Sequence, residues 1–204
     1  MNFSVIKFSG KKIREFLHAY TTKNWKDSSF EKIQTAAFLN QKGRVVAIAH
    51  LKVLNDTQAD CYLPSESITL LLDHLNQYLK INRISYEIHH NPNIDFFNQN
   101  NTNICPLVPW LILEAQALYT AHDLSLDVLN IIDFDKGCYL GQEIAARMDS
   151  RVSSFKKRLA LIAIEDLPAD SIVLARENHK VLTVINIENF SQKASCQVWD
   201  NSRK

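Results

Sequence analysis

Apolar and polar positions alternate over residues 3–8, FSVIKF, the period-two signature of a strand. Ser9 stands where a helix N-cap is expected. Ile13, Phe16, Leu17 and Tyr20 then follow at helical spacing along GKKIREFLHAYTT. Residues 36–39 and 44–54 read as a hairpin around Asn40-Gln41-Lys42-Gly43, a polar turn ending in glycine. A strand over 59–63 runs into Pro64. From Ser65 or Ser67 an amphipathic helix continues to Lys80, with Ile68, Leu71, Leu72, Leu75 and Leu79 on one face. Residues 83–89, RISYEIH, alternate again. This order of strands and helices signals an α+β fold.

Residues 91–106, NPNIDFFNQNNTNICP, are dense in asparagine and bracketed by prolines, so they read as a loop or linker. Residues 110–121 are apolar almost all round and predict a buried helix. A turn at Asp133-Phe134-Asp135 leads to a short helix over 142–148. From Phe155 the pattern predicts strands again in KKRLALIAIE, SIVLAR and VLTVINIE, with a turn at Glu177-Asn178-His179 and a last strand near CQVW. No internal repeat is visible.

The 204 residues carry 23 Lys plus Arg against 22 Asp plus Glu, with 46% hydrophobic and 22% charged residues. This is an ordinary globular mixture, and it excludes a strongly basic nucleic-acid coat or an acidic tail protein. No apolar run reaches the roughly 20 residues of a membrane span, and the first residues carry no apolar signal-peptide stretch. Cys61, Cys105, Cys138 and Cys196 form no C-x-x-C or zinc spacing. Free thiols in a reducing cytoplasm are the expectation, with no membrane partner.

There are only four glycines, and two of them, Gly137 and Gly141, fall in Lys136-Gly137-Cys138-Tyr139-Leu140-Gly141-Gln142-Glu143. A thiol beside a glycine has an open backbone around it. Lys136 and the N-terminus of the following helix would both lower the pKa of Cys138. Two readings stand: a reactive or ligand-binding thiolate, or a tight loop around a buried, inert cysteine. Glu143 and Arg147 stand at i, i+4 and can pair along the helix.

The octapeptide resembles the KGCYxGQE signature of the YgfZ family, folate-binding proteins related to the glycine-cleavage (GcvT) aminomethyltransferase. The resemblance extends to FSGKKIREFLHAYTT, to AAFLNQKGRVV, to LLLDHLNQYLKINRISYEI, and through EIAARMDSRVSSFKKRLAL after the motif. It implies ferredoxin-like antiparallel sheets and helices around a central cavity. It divides the chain into a folate-binding domain over 1–152 and a truncated C-terminal β domain over 153–204. It implies a tetrahydrofolate-type cofactor and support of iron–sulfur cluster assembly or repair. The partners would be iron–sulfur client enzymes or assembly proteins, with an indirect link to tRNA through the enzymes that thiomethylate it. Cys138 corresponds to the family's functional cysteine, and Lys136, Gly137, Tyr139, Gly141, Gln142 and Glu143 to the rest of its motif. Trp110 falls on a folate-contacting position. Phe3 stands where the family has a second such aromatic residue, a tryptophan.

The chain departs from the family at several points. His18-Ala19-Tyr20 replaces a glutamine-glycine-glutamine, and Ala121-His122 a proline-glutamine pair. Aminomethyltransferases carry an aspartate pair just after the hairpin glycine, where Ala47 and Ile48 stand here. Neither can exchange a proton. The resemblance therefore favours a non-enzymatic folate-binding factor. An aminomethyltransferase-like enzyme and a degenerate interaction module remain as alternatives.

Arg147, Arg151, Lys156, Lys157 and Arg158 make a local basic stretch. It reads either as a solvated strand edge or as a contact for tRNA, an acidic partner or a folate polyglutamate tail, and Arg147 is placed among the cofactor contacts. His89 and His90 are neighbours on a strand and point to opposite faces, so no metal is assigned to them. Asp123 and Asp127 read as capping or decorating the approach to the motif.

Overall fold

The computed structural model describes residues 2–26, 28–30, 32–92, 108–149, 155–190 and 197–199. Strands β1 (Phe3–Ser9), β2 (Ile33–Leu39), β3 (Val45–Asn55), β4 (Gln58–Pro64) and β5 (Ser85–His90) form one five-stranded sheet in the order β2-β3-β4-β1-β5. All its pairings are antiparallel. Because β4 and β5 flank β1, they run parallel to each other and are joined by helix α2 (Ile68–Asn82), the split β-α-β arrangement of ferredoxin-like units. Helix α1 (Ile13–Tyr20) follows β1.

The period-two pattern divides this sheet into two faces. One face gives Ile6, Phe8, Phe38, Leu51, Cys61 and Leu63 to a core with Phe16 and Leu17 of α1, Leu71, Leu75 and Leu79 of α2, and Trp25. The opposite face gives Ala37 and Ile48 to a second core. Its other members include Leu111, Leu124, Leu126 and Ile131, with Leu159 and Leu182 from the second sheet. That sheet has four antiparallel strands, β6 (Lys157–Ala163), β7 (Val173–Glu177), β8 (Lys180–Asn186) and β9 (Gln197–Val198), in the order β7-β8-β6-β9. Helix α3 (Gln142–Asp149) stands between the two sheets in the chain. Among the described residues, no helix is long and apolar enough to cross a membrane.

Two expectations are corrected. Ser9 does not cap α1. It is the last residue of β1, paired with both Gln58 and Ser85, and Lys12 precedes the helix without a side-chain cap. Residues 110–121 do not form a helix. β4 pairs only with residues 50–55 of β3, so the leading half of β3 has a free edge. Ala117 N donates to Val45 O at 2.8 Å, and Val45 N donates to Tyr119 O at 2.9 Å. A helix would have consumed those backbone groups internally. Only Leu113–Ala115 makes a 3-10 turn, and Ala117 is left-handed with φ 55°. Most of the asparagine-rich stretch, Cys105, Cys196, Arg151 and the expected boundary between 152 and 153 lie outside the described residues.

Candidate functional site

The octapeptide is built onto the C-terminal end of α1. The carbonyls of a last helical turn have no partners within the helix and carry the negative end of its dipole. Lys136, buried at 3% exposure, donates through Nζ to His18 O at 2.5 Å and to Thr21 O at 2.6 Å. Leu140 N donates to Ala19 O at 2.9 Å. The Lys136 ammonium also lies 4.5 Å from the centroid of the Tyr139 ring. Burial pushes the Lys136 pKa down to about 7, against the pull of the Asp133 carboxylate and together with the push of Lys26. The Lys136 donors are therefore turned to the helix end, where carbonyls without helical partners accept them.

The other side of the loop rests on the β2–β3 turn. Gly141 has φ +79°, and a Cβ there would lie 2.5 Å from Asn40 O and 3.4 Å from the Cα of Gly43. Gly43 has φ +68°, and its Cβ would meet Ile144 of α3 at 2.7 Å. Both backbones thus approach closer than any side chain permits. Tyr139 and Gln142 close the turn reciprocally: Gln142 N donates to Tyr139 O at 3.1 Å, and Tyr139 N to Gln142 Oε1 at 3.2 Å.

Held at both ends in this way, the loop presents Cys138 to solvent. The reading of a buried, inert cysteine is overturned for Cys138 and fits Cys61 instead, whose thiol pKa is raised by burial and by Asp60. Gly137 is exposed beside Cys138. Arg147 and Glu143 approach to 4.0 Å across an exposed face of α3.

Two residues to which the sequence assigns no role in the motif support the loop. His18 is 7% exposed, and its Nε2 would lie 3.7 Å from a Cβ at Gly137. Trp25 is fully buried and donates through Nε1 to Thr21 Oγ1 at 2.8 Å. His18 had a local signal as the basic residue in the last turn of α1. Trp25 follows the helix in an irregular stretch and gave none.

A second group of candidates lies on the sheet face opposite the helices. The rings of Phe3 and Trp110 meet edge to face with centroids 5.0 Å apart, and Trp110 meets His50 the same way at 4.9 Å. Burial lowers the His50 pKa to about 4, so its ring is neutral at pH 7. Thr35 Oγ1 lies 2.9 Å from His50 Nδ1. Ala47 and Ile48 are both buried and apolar, one in each core, so β3 offers no proton-exchanging group where they stand.

The basic stretch divides. Lys156 and Lys157 are exposed, but Arg158 is fully buried and binds Asp127 through two hydrogen bonds of 2.7 and 3.0 Å. A solvated edge is therefore the wrong reading for Arg158, and Asp127 is its counter-ion. Asp123 does cap, accepting from Thr120 N at 2.9 Å. His89 Nε2 lies 3.5 Å from Glu87 Oε2, and His90 Nδ1 lies 2.9 Å from Ser4 Oγ, so the two rings engage different neighbours.

Among solved structures, the chain matches the glycine cleavage system aminomethyltransferase T of Bartonella henselae at a TM-score of 0.64. Identity is 8%, over 91% of this chain and 76% of that one. No protein-family model and no curated protein sequence matches the chain. At this identity the likeness is one of fold, and the fold is GcvT-like.

Proposed function

We propose that this chain is a folate-binding accessory protein of the YgfZ type that supports iron–sulfur cluster assembly or repair. The observation that carries the reading is Cys138, exposed on a loop pinned to α1 by Lys136 and Leu140 and to the β2–β3 turn by Gly141. A thiol held outward on a rigid support can engage a partner's metal or disulfide as thiolate. The half-buried Phe3–Trp110 pair fits a flat cofactor, because aromatic faces stack on heterocycles. Those two residues would hold a reduced folate, which supplies one-carbon chemistry when bound. Ala47 and Ile48 favour the accessory role over aminomethyl transfer, since neither moves a proton.

Complementation tests the reading. Cys138→Ser should leave the melting curve of the protein unchanged, because Cys138 is exposed and oxygen replaces sulfur with little loss of packing. In cells lacking the protein it should fail to restore iron–sulfur enzyme activity. Full rescue by the stably folded variant would reduce the octapeptide to a structural loop.

A further inference from the structure

The sheet face that carries Phe3 and His50 holds a polar set that the fold does not need. On the helix side, the neighbouring positions of β3, β4 and β1 are the apolar Leu51, Cys61 and Ile6. On the opposite side, His50 of β3 pairs in register with Tyr62 of β4, and Tyr62 with Val5 of β1. Two residues along β4 stands Asp60, opposite Lys52 on β3 and Lys7 on β1. Thr35, His50, Tyr62 and Asp60 are 3%, 4%, 8% and 9% exposed. The Tyr62 hydroxyl donates to Asp60 Oδ2 at 3.1 Å. Phe3, two residues before Val5, and Trp110 extend the same face.

A buried carboxylate is costly unless its lone pairs are used, and an ionised one accepts about four hydrogen bonds. Among the described residues, Asp60 receives one, from Tyr62, and joins no ion pair although a lysine stands opposite on each side. The charge could have been spared by an apolar residue, as it is on the other face.

We infer that Asp60 is a binding carboxylate that accepts the adjacent N–H donors of a flat nitrogen heterocycle lying on the Phe3–Trp110 side of the sheet. The inference rests on the folate reading above. The 2-amino-4-oxo ring of a reduced folate offers a ring N–H and an amino N–H side by side, the pair a carboxylate accepts bidentately. Tyr62 fixes the carboxylate by donating to one oxygen, and His50 packs edge to face with Trp110.

The test is a titration of the full chain by tryptophan fluorescence. The probes are folinate (5-formyltetrahydrofolate), pterin, which carries the 2-amino group, and lumazine, which has an oxygen in its place. Asp60→Asn keeps the volume and one carbonyl oxygen but loses the charge. It should weaken folinate at least about tenfold, the scale of one hydrogen bond to a charged group. Wild type should prefer pterin over lumazine, and the variant should lose that preference. Folinate bound equally by wild type and Asp60→Asn overturns the inference and leaves the folate reading standing. Should the variant not fold, wild type decides: pterin held no tighter than lumazine overturns the inference. A wild type that binds no folinate overturns the folate reading, and this inference with it.

Discussion

Gly137 and Gly141 are the same residue for different physical reasons. Gly141 is left-handed, and its missing Cβ would lie 2.5 Å from Asn40 O and 2.8 Å from Leu39 Cβ. An alanine there meets backbone strain and a clash with a backbone oxygen, which cannot swing away. Gly137 has no left-handed φ, and the nearest atom to a Cβ is His18 Nε2 at 3.7 Å, an ordinary contact. Gly141→Ala should therefore cost about 3 kcal/mol in urea denaturation. Gly137→Ala should stay within about 1 kcal/mol of wild type, since restricting the unfolded chain offsets small losses. A neutral Gly141→Ala would contradict the docking of the octapeptide on the β2–β3 turn. If Gly137→Ala folds normally yet fails complementation, open approach to Cys138 is what that glycine provides.

Helix α1 and the octapeptide form one unit, although the residues that join them lie 118 and 115 positions apart. Lys136→Met removes both Nζ bonds and leaves two buried carbonyls unpaired, a loss of about 3 kcal/mol. The effect also depends on pH. The folded pKa of Lys136 is about 7, below its ordinary 10.5, so between these values the unfolded chain holds a proton that the folded one has released. Stability therefore rises with pH across that window, and Lys136→Met lacks the rise. A neutral amine still has two N–H groups, enough for His18 O and Thr21 O, so the cap survives deprotonation. The gap between wild type and variant in urea midpoint should widen from about pH 7 to about pH 9.5. A constant gap would show that Lys136 does not titrate in that window. This unit also shows what the sequence makes legible. Periodicity located both helices and every strand of the five-stranded sheet, because each pattern is local. The spacing of Lys136 and Cys138 is local too, but it cannot say which way the lysine turns, and the target that wins is a distant helix end. Residues 110–121 failed as a helix for the same reason, since the free edge of β3 that pairs with them is remote in sequence. Asp60 gave no signal because its importance lies in which face of β4 it occupies and what flanks it.

At the scale of the molecule, the segment between the aromatic pair and the octapeptide ties the two sheets together. Leu124, Leu126 and Ile131 share a core with Ala37 and Ile48 of the first sheet and with Leu159 and Leu182 of the second. Ser125 reinforces this: Leu159 N donates to its Oγ at 3.1 Å, and its Oγ donates to Trp199 O at 2.7 Å. At the centre is the Arg158–Asp127 pair, with side chains 0% and 2% exposed. Arg158 also donates to His122 O at 2.9 Å, and its guanidinium lies 4.0 Å from the centroid of the Phe155 ring. Two opposite charges buried together recover by attraction much of what desolvation costs, so the pair adds little net stability, while either partner alone is strongly destabilising. Arg158→Met should lower stability by about 3–5 kcal/mol by taking the guanidinium away from the buried Asp127 carboxylate. The double change Arg158→Met with Asp127→Leu removes both charges and should return most of that loss, in the same urea measurement. A double variant no more stable than Arg158→Met would show that the arginine works through its bond to His122 O and its packing on Phe155. The pair would then not be the electrostatic joint between the second sheet and the segment leading to Cys138.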